Sequence, residues 1–208
     1  MPTLLEETQI TLDRVDLLNR VPVTHPRVVK GKIQPPERAK GIHLSGILSY
    51  VAITSKMVDW AKQAEEEQLK LRMALGFAWE EFCISLYPGA VWQPGQITAN
   101  NVAMNCDGQS LLNDELIDEE FKLTWIKRRT GAEVMRERWY WMCQAKGYGA
   151  GYGVLKTRLH ICYVNGDYKP MEPIYMRYLI EFSQKEIDDN WKMITMNRDR
   201  AKEAGYGE

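Results

Sequence analysis

Long apolar runs are missing from this sequence: none approaches the ~18 residues that a bilayer-spanning helix needs. An apolar leader core is missing as well. The first twenty residues carry Glu6, Glu7, Asp13 and Asp16, so no secretory signal is expected. An excess of one charge is also absent: 27 basic and 28 acidic residues leave a formal net charge of −1. That excludes a broad basic field for capturing nucleic acid, while a local basic groove beside an acidic centre stays compatible with it. Cysteine is scarce. Cys83, Cys106, Cys143 and Cys162 are the whole set, the closest two 19 positions apart and none in a C-x-x-C pair. That excludes a zinc ribbon or finger and leaves free, reduced, buried thiols, as in a cytoplasmic chain. His25, His43 and His160 show no metal-ligand spacing and are expected to be structural.

What is present describes a globular chain. Its 208 residues are 45% apolar and 26% charged, enough for one mixed α/β domain with a core of its own. Residues 1–43 read as an irregular arm, because Pro22, Pro26, Pro35 and Pro36 interrupt helices and strands alike; Val21, Val23, Val28 and Val29 are candidates for short edge strands. Residues 44–208 read as the folded domain. Ser45 is a plausible N-cap, and apolar residues recur at helical steps from Lys56 to Leu86. Ile97 to Cys106 reads as a strand ending in an Asp107-Gly108 turn, and Leu116 to Trp125 as the next strand. Glu133 to Tyr148 is helical again and is stopped by the glycines of Gly147–Gly153. Val154 to Val164 and Ile174 to Phe182 alternate as an antiparallel pair. A Ser183-x-x-Glu186 capping box opens a last helix that runs to about Ala204.

The chemistry concentrates in Asp107-Gly108 and in Asp118-Glu119-Glu120-Phe121-Lys122. On a strand, Glu120 and Lys122 share one face, and Phe121 and Glu119 take the other; Glu119 is expected to be solvated or ion-paired. A turn before this strand brings Asp107 beside Glu120. Two adjacent carboxylates repel unless a cation lies between them, and Mg²⁺, or Mn²⁺ in its place, suits such a pair. A lysine on the same face can orient a water or steady developing negative charge. The run Lys127-Arg128-Arg129, with Arg136, Arg138 and Lys146 further on, is the best local basic surface for phosphate. Ser45 at a helix start and Arg72 are further phosphate candidates. Trp125, Trp139 and Trp141 are candidates for base stacking, with core packing the default for at least two of them.

Asp107 followed by Glu120-Phe121-Lys122 resembles the D…(D/E)-x-K signature of the PD-(D/E)xK nuclease superfamily. Gly76-x-x-x-Glu80 on the preceding helix and Gln144-x-x-x-Tyr148 on the following one resemble the motifs of its phage lambda exonuclease and RecB-type subgroup. The formal proline is replaced by Cys106. The resemblance implies a restriction-endonuclease-like core, with a central mixed sheet of about four strands flanked by helices. It implies metal ligation by Asp107, Glu120 and the Phe121 carbonyl, with Glu80 (rather than Glu81) reaching the metal. Lys122 would contact the attacking water or the phosphate, and Gln144 and Tyr148 the nucleophile or the DNA backbone. The implied activity is Mg²⁺-dependent hydrolysis of DNA, with exonucleolytic trimming of ends as in phage recombination or replication, inside a bacterial host if the chain is phage-encoded. Expected partners are DNA, a single-strand annealing or recombination protein and further copies of the chain, with no membrane. A structure-specific endonuclease and a non-catalytic DNA-binding scaffold are the alternatives. A nucleotide-binding role for Gly147–Gly153 is weak, since a phosphate loop follows a strand.

Overall fold

The computed structural model describes residues 1–11, 28–29, 32–33, 41–56, 66–87, 91–166 and 172–206, with the side chains of 28–29, 32–33 and 66–70 excepted. The four prolines, Val21, Val23 and His25 of the expected arm, and the first turns of the expected helix from Lys56, lie outside those residues. The elements run β1 (Thr3–Ile10), β2 (Val28–Val29), β3 (Lys32–Ile33), β4 (Ile42–His43), α1 (Leu44–Thr54), α2 (Glu66–Leu86), β5 (Ile97–Ala99), β6 (Val102–Met104), β7 (Gly108–Leu112), β8 (Glu115–Thr124), α3 (Gly131–Glu137), α4 (Trp139–Tyr152), β9 (Lys156–Tyr163), β10 (Ile174–Glu181) and α5 (Gln184–Glu203). The main sheet has the order β1-β10-β9-β8-β7. Its β8–β9 contact is parallel and the other three are antiparallel, so the fold is α/β with a mixed, helix-flanked sheet of five strands where about four were expected.

The fifth strand comes from the segment that reads as irregular. β1 pairs antiparallel with β10 from Thr3–Glu181 to Ile10–Tyr175, with a bulge between Leu4 and Glu6. Its side chains alternate between exposed and half-buried, as on an edge strand with one covered face. The remaining differences also have local causes. Asn100 and Asn101 take positive φ values of 49° and 61° and fold the expected strand 97–106 into the β5–β6 hairpin, because Asn tolerates the left-handed region that a two-residue turn requires. Asn113 and Asp114, at 51° and 65°, make the β7–β8 turn in the same way. Asp107-Gly108 is therefore the entry to β7 and not a hairpin turn. Ser45 lies inside α1, and the N-cap is His43, with no side-chain cap bond. The expected helix from Glu133 is broken at Arg138 into α3 and α4; α3 starts at Thr130 through a capping box with Glu133.

The two sheet faces bury different things. Leu159, Ile161 and Tyr163 of β9 and Met176, Tyr178 and Ile180 of β10 pack with Met142 and Ala145 of α4 and Ile187 of α5. Beside them, α1 buries Leu44, Ile47, Leu48 and Val51 against Cys143, Tyr148 and Ile194, a three- and four-residue spacing that makes one helix stripe. On the opposite face α2 lays Cys83 and Trp79 over Phe121 and Tyr175. The four cysteines are free and buried.

The glycine run stops α4 only at its last member: the helix continues through Gly147, Gly149 and Gly151 to Tyr152 and ends at Gly153 with φ 74°. Gly147 and Gly149 instead allow close approach. A Cβ on Gly147 would lie 2.7 Å from Leu44 Cδ2, and one on Gly149 would lie 2.5 Å from the Val154 carbonyl oxygen. The second obstacle is backbone and cannot rotate away. Gly149→Ala should therefore destabilise the fold by about 1–3 kcal/mol, read as a lower urea midpoint with an unchanged m-value; an unmoved midpoint would refute the close-approach account.

Candidate active site

The site is assembled on β8 and the residues that flank it. The β7–β8 pairing ends at Gly108 and Glu119, so the next backbone groups of β8 on that edge belong to Phe121. Its amide donates to Asp107 Oδ2 at 2.8 Å, which fixes the aspartate at the end of the ladder. In an extended strand the carbonyl of a residue projects to the same edge as its amide, so the Phe121 carbonyl faces the same side. Glu120 and Lys122 point to the α4 face. The Lys122 ammonium donates to Glu120 Oε1 and to Gln144 Oε1 at 3.2 Å, and Gln144 Nε2 donates to the Tyr148 hydroxyl at 2.7 Å. Asp107, Glu120, Phe121, Lys122, Gln144 and Tyr148 are thus joined in one hydrogen-bonded and electrostatic unit.

Burial sets the electrostatics. Glu120 is 1% exposed; desolvation pushes its carboxyl pKa well up, the Asp107 charge pushes it further, and Lys122 only partly offsets them. Burial pulls the Lys122 ammonium down, but the charges of Glu120 and Asp107 outweigh it and leave its pKa above the ordinary value. The Tyr148 phenol is raised well above its ordinary value by burial and then by the same two carboxylates, so it is a neutral hydrogen-bonding group.

A divalent cation fits this arrangement. Glu120 Oε2 is a buried acceptor without a hydrogen-bond donor, and its carboxylate and that of Asp107 repel each other. Mg²⁺ needs only one or two carboxylates, its other positions being filled by water and substrate oxygens. Glu80 is buried on α2, its Oε1 accepting from Gln93 Nε2 at 3.1 Å, while Glu81 is half-buried. Among the described residues no group of three or more His, Cys, Asp and Glu side chains is placed to hold a metal together, so Glu80 does not complete a three-residue cluster with Asp107 and Glu120. Beyond its own helix, no described atom comes within 4 Å of where a Cβ on Gly76 would lie.

On the opposite face of β8, Glu119 is fully buried and ion-paired with Arg158, the second of its two expected states. Its Oε1 accepts from Ser110 Oγ at 2.5 Å and from Arg158 Nη1 at 2.7 Å, and its Oε2 lies 2.6 Å from His160 Nε2. Burial lowers the His160 pKa despite the glutamate. With a neutral imidazole, the consistent assignment is Nε2–H donating to Glu119 and the Tyr175 hydroxyl donating to Nδ1, 2.5 Å away.

The basic candidates are dispersed. Ser45 is exposed on α1. Arg72 is exposed on α2 with its guanidinium 5.8 Å from the Trp125 ring centre. Lys127 is exposed and Lys146 half-buried. Arg128 donates to Gln9 Oε1 at 3.3 Å, and Arg129 pairs with Glu137 at 3.5 Å and Glu133 at 4.0 Å. Arg136 pairs with Glu137, and Arg138 lies over Trp141. Trp139 and Trp141 pack against the core. Sequence reasoning missed Tyr140, whose hydroxyl donates to the Ser45 carbonyl at 3.1 Å, within electrostatic reach of Lys122 and Glu120. Extending the Gln144-x-x-x-Tyr148 spacing one turn upstream would have found it.

The fold is α/β, a five-stranded mixed sheet flanked by helices. It is similar to an alkaline exonuclease (LHK-Exo) from Laribacter hongkongensis, at 15% identity and a TM-score of 0.48, over 80% of this chain and 90% of that one. It is also similar to SSO0001, at 13% identity and a TM-score of 0.44, over 78% of each chain. No family model matches the sequence, and no curated protein matches it. The reading of the site rests on its own geometry.

The raised pKa of Glu120 has a definite sign. The folded protein retains a proton that the unfolded chain releases, so the contribution is full at low pH and is lost as pH rises through the folded value. Stability measured by urea unfolding in chelator should fall across that range. Glu120→Gln, neutral at every pH, should flatten the fall; an unchanged slope would show that Glu120 is not the group involved.

Proposed function

We propose that the protein is a divalent-cation-dependent DNA nuclease that hydrolyses phosphodiester bonds at Asp107, Glu120 and Lys122. The observation that carries this reading is the convergence of two carboxylates and an ammonium at the free end of the β7–β8 ladder, with Asp107 held by the Phe121 amide. Asp107, Glu120 and the Phe121 carbonyl would hold the cation, Mg²⁺ or Mn²⁺, which when bound supplies Lewis acidity to a phosphoryl oxygen and lowers the pKa of a coordinated water. Lys122, raised in pKa and therefore cationic at neutral pH, is placed to stabilise negative charge on the phosphoryl group. Gln144 fixes the direction of the ammonium by accepting one of its hydrogens, and Tyr148 holds Gln144 in turn. Glu80 is assigned a supporting role through water. Exposed Ser45, Arg72 and Lys127, with Arg128, Arg129 and Lys146, are assigned to DNA phosphates.

The expected action is removal of nucleotides from DNA ends, in keeping with the resemblance of Gln144-x-x-x-Tyr148 to the exonuclease motif. An annealing or recombination protein and further copies of the chain are the partners that such an activity would use. No helix among the described residues is long and apolar enough to cross a membrane.

The deciding experiment incubates end-labelled linear DNA and covalently closed circular DNA with Mg²⁺ or with EDTA. Linear DNA should be degraded only with Mg²⁺. Asp107→Asn, Glu120→Gln and Lys122→Ala should each lower the rate by at least about 100-fold. Full activity in any of these variants would refute the assigned chemistry, and cleavage of the closed circle would replace the exonuclease with an endonuclease.

A further inference from the structure

The segment between α2 and β5 joins the edge of the main sheet at one point. Trp92 and Gln109 exchange both backbone hydrogen bonds, the Trp92 amide donating at 3.0 Å and the Gln109 amide at 2.8 Å, in an antiparallel bridge on the outer edge of β7. Val91 is anchored as well. Its amide donates to the Tyr87 carbonyl at 3.2 Å, and its buried side chain packs with Cys83 and Phe121 on the α2 face. A Cβ on Gly108 would lie 2.6 Å from Val91 Cγ1, so the glycine beside Asp107 is what lets the segment approach β7 this closely. In an antiparallel bridge the facing residues run in opposite order. Gln93 therefore falls beside Gly108, one residue from Asp107, and alternation turns it to the same face as Val91, towards α2.

There Gln93 meets Glu80. Its Nε2 donates to Glu80 Oε1 at 3.1 Å; Glu80 is buried and Gln93 is exposed. The bond runs from α2 to the end of β7, and it ties the glutamate to the stretch of sheet edge where Asp107 is held by the Phe121 amide. Glu80 joins no cluster of three metal-ligating side chains among the described residues, so its part in the site depends on how its carboxylate is aimed. The Gln93 donor is a neutral amide. It orients the carboxylate without itself cancelling the charge, whereas Glu119 and Glu120 are paired with the cations Arg158 and Lys122.

We propose that Gln93 is a positioning residue for the cation site: its amide holds Glu80 at the Asp107 end of β7 and keeps that carboxylate aimed for the water-mediated role assigned to it above. This rests on the nuclease reading and adds to it a residue that acts only through Glu80. Outer partners of this kind fix the direction of the groups nearer an ion, and their loss typically weakens metal affinity by about 10- to 100-fold. The loss here should lie at the lower end, because one hydrogen bond to a charged group is removed while the carboxylate itself stays.

The test uses Gln93→Met, which keeps the length of the side chain and removes the donor, alone and combined with Glu80→Ala. Mn²⁺ binding to the DNA-free protein is followed by calorimetry, and cleavage of linear DNA is measured across a Mg²⁺ series. Gln93→Met should weaken Mn²⁺ binding by about tenfold and raise the half-saturating Mg²⁺ concentration by the same factor. The rate at saturating Mg²⁺ should stay within about threefold of wild type. Because Gln93 is exposed, the thermal midpoint in EDTA should not move. On the Glu80→Ala background the same substitution should change Mn²⁺ affinity by less than about twofold, as for two residues acting as one unit. Additive losses on that background, or unchanged Mn²⁺ binding by Gln93→Met with or without a lowered midpoint, would overturn the positioning role. If wild type binds no Mn²⁺, this role and the cation site fail together. If it binds Mn²⁺ but cleaves no DNA, the nuclease reading fails and the Mn²⁺ titrations still decide for Gln93; if it does both and Gln93→Met matches it, only the positioning role fails.

Discussion

Three consecutive carboxylates, Asp118, Glu119 and Glu120, are buried in the middle of β8, none more than 1% exposed. Burying one acid without a partner is costly, and burying three in a row demands a separate solution for each. Glu119 takes the α2 face and is held by Ser110, Arg158 and His160 from the two neighbouring strands. Asp118 takes the other face, where Gln109 holds one oxygen at 2.9 Å; burial nevertheless pushes its pKa up to about 6. Glu120 has Lys122 and one oxygen with no donor. Asp118 Oδ2 and Glu120 Oε2 are both buried without a donor, so only Glu119 is fully supported from within the sheet. What sets Glu120 apart is its place beside Lys122 and the Asp107 charge at the end of the β7–β8 ladder.

The helices follow from the same constraint. Lys122 needs an acceptor from above the sheet, and Gln144 supplies it only because α4 runs close to its neighbours. Gly147 and Gly149 allow that approach to Leu44 and to the Val154 backbone. On the other face α2 must cover a polar cluster as well as an apolar one. It does so with aromatic residues, Trp79 meeting Tyr175 edge-on at 4.9 Å, while Tyr175 carries the hydroxyl that completes His160. The Glu119 cluster and the candidate active site are therefore back to back across one strand, sharing its backbone and little else.

Much of this was legible in the sequence. The order of Asp107, Glu120, Lys122, Gln144 and Tyr148, together with period-two alternation, placed the joined residues on one strand face and one helix. Local backbone chemistry was less legible. Asn100-Asn101 and Asn113-Asp114 are hairpin turns of a kind that Asn and Asp favour, yet Asp107-Gly108 was the more familiar turn pair and drew the strand boundary to the wrong place. The partners of Glu119 could not be read, because alternation says which way a side chain points and not what covers it. β1 was hidden for a similar reason: Glu6, Glu7 and the prolines beyond them look unlike a strand, and only pairing with β10 makes Thr3–Ile10 one. Tyr140 was passed over because its role depends on where α1 ends up.

The position of β1 in the sheet has a consequence for how the chain reaches this state. The first strand of this sheet to be made, Thr3–Ile10, pairs with the last of its strands, Ile174–Glu181. At ordinary synthesis rates those partners emerge on the order of ten seconds apart. Until β10 arrives, β1 is an unpaired segment with no template, and β9 lacks one neighbour of its sheet. The native sheet order can close only once β10 has emerged, and all the chain between the two strands must be looped to close it. Such a topology folds slowly for its size and exposes sheet edges while it waits, so the charged residues along β1, Glu6 and Glu7, also serve the unfinished chain by discouraging edge-to-edge association.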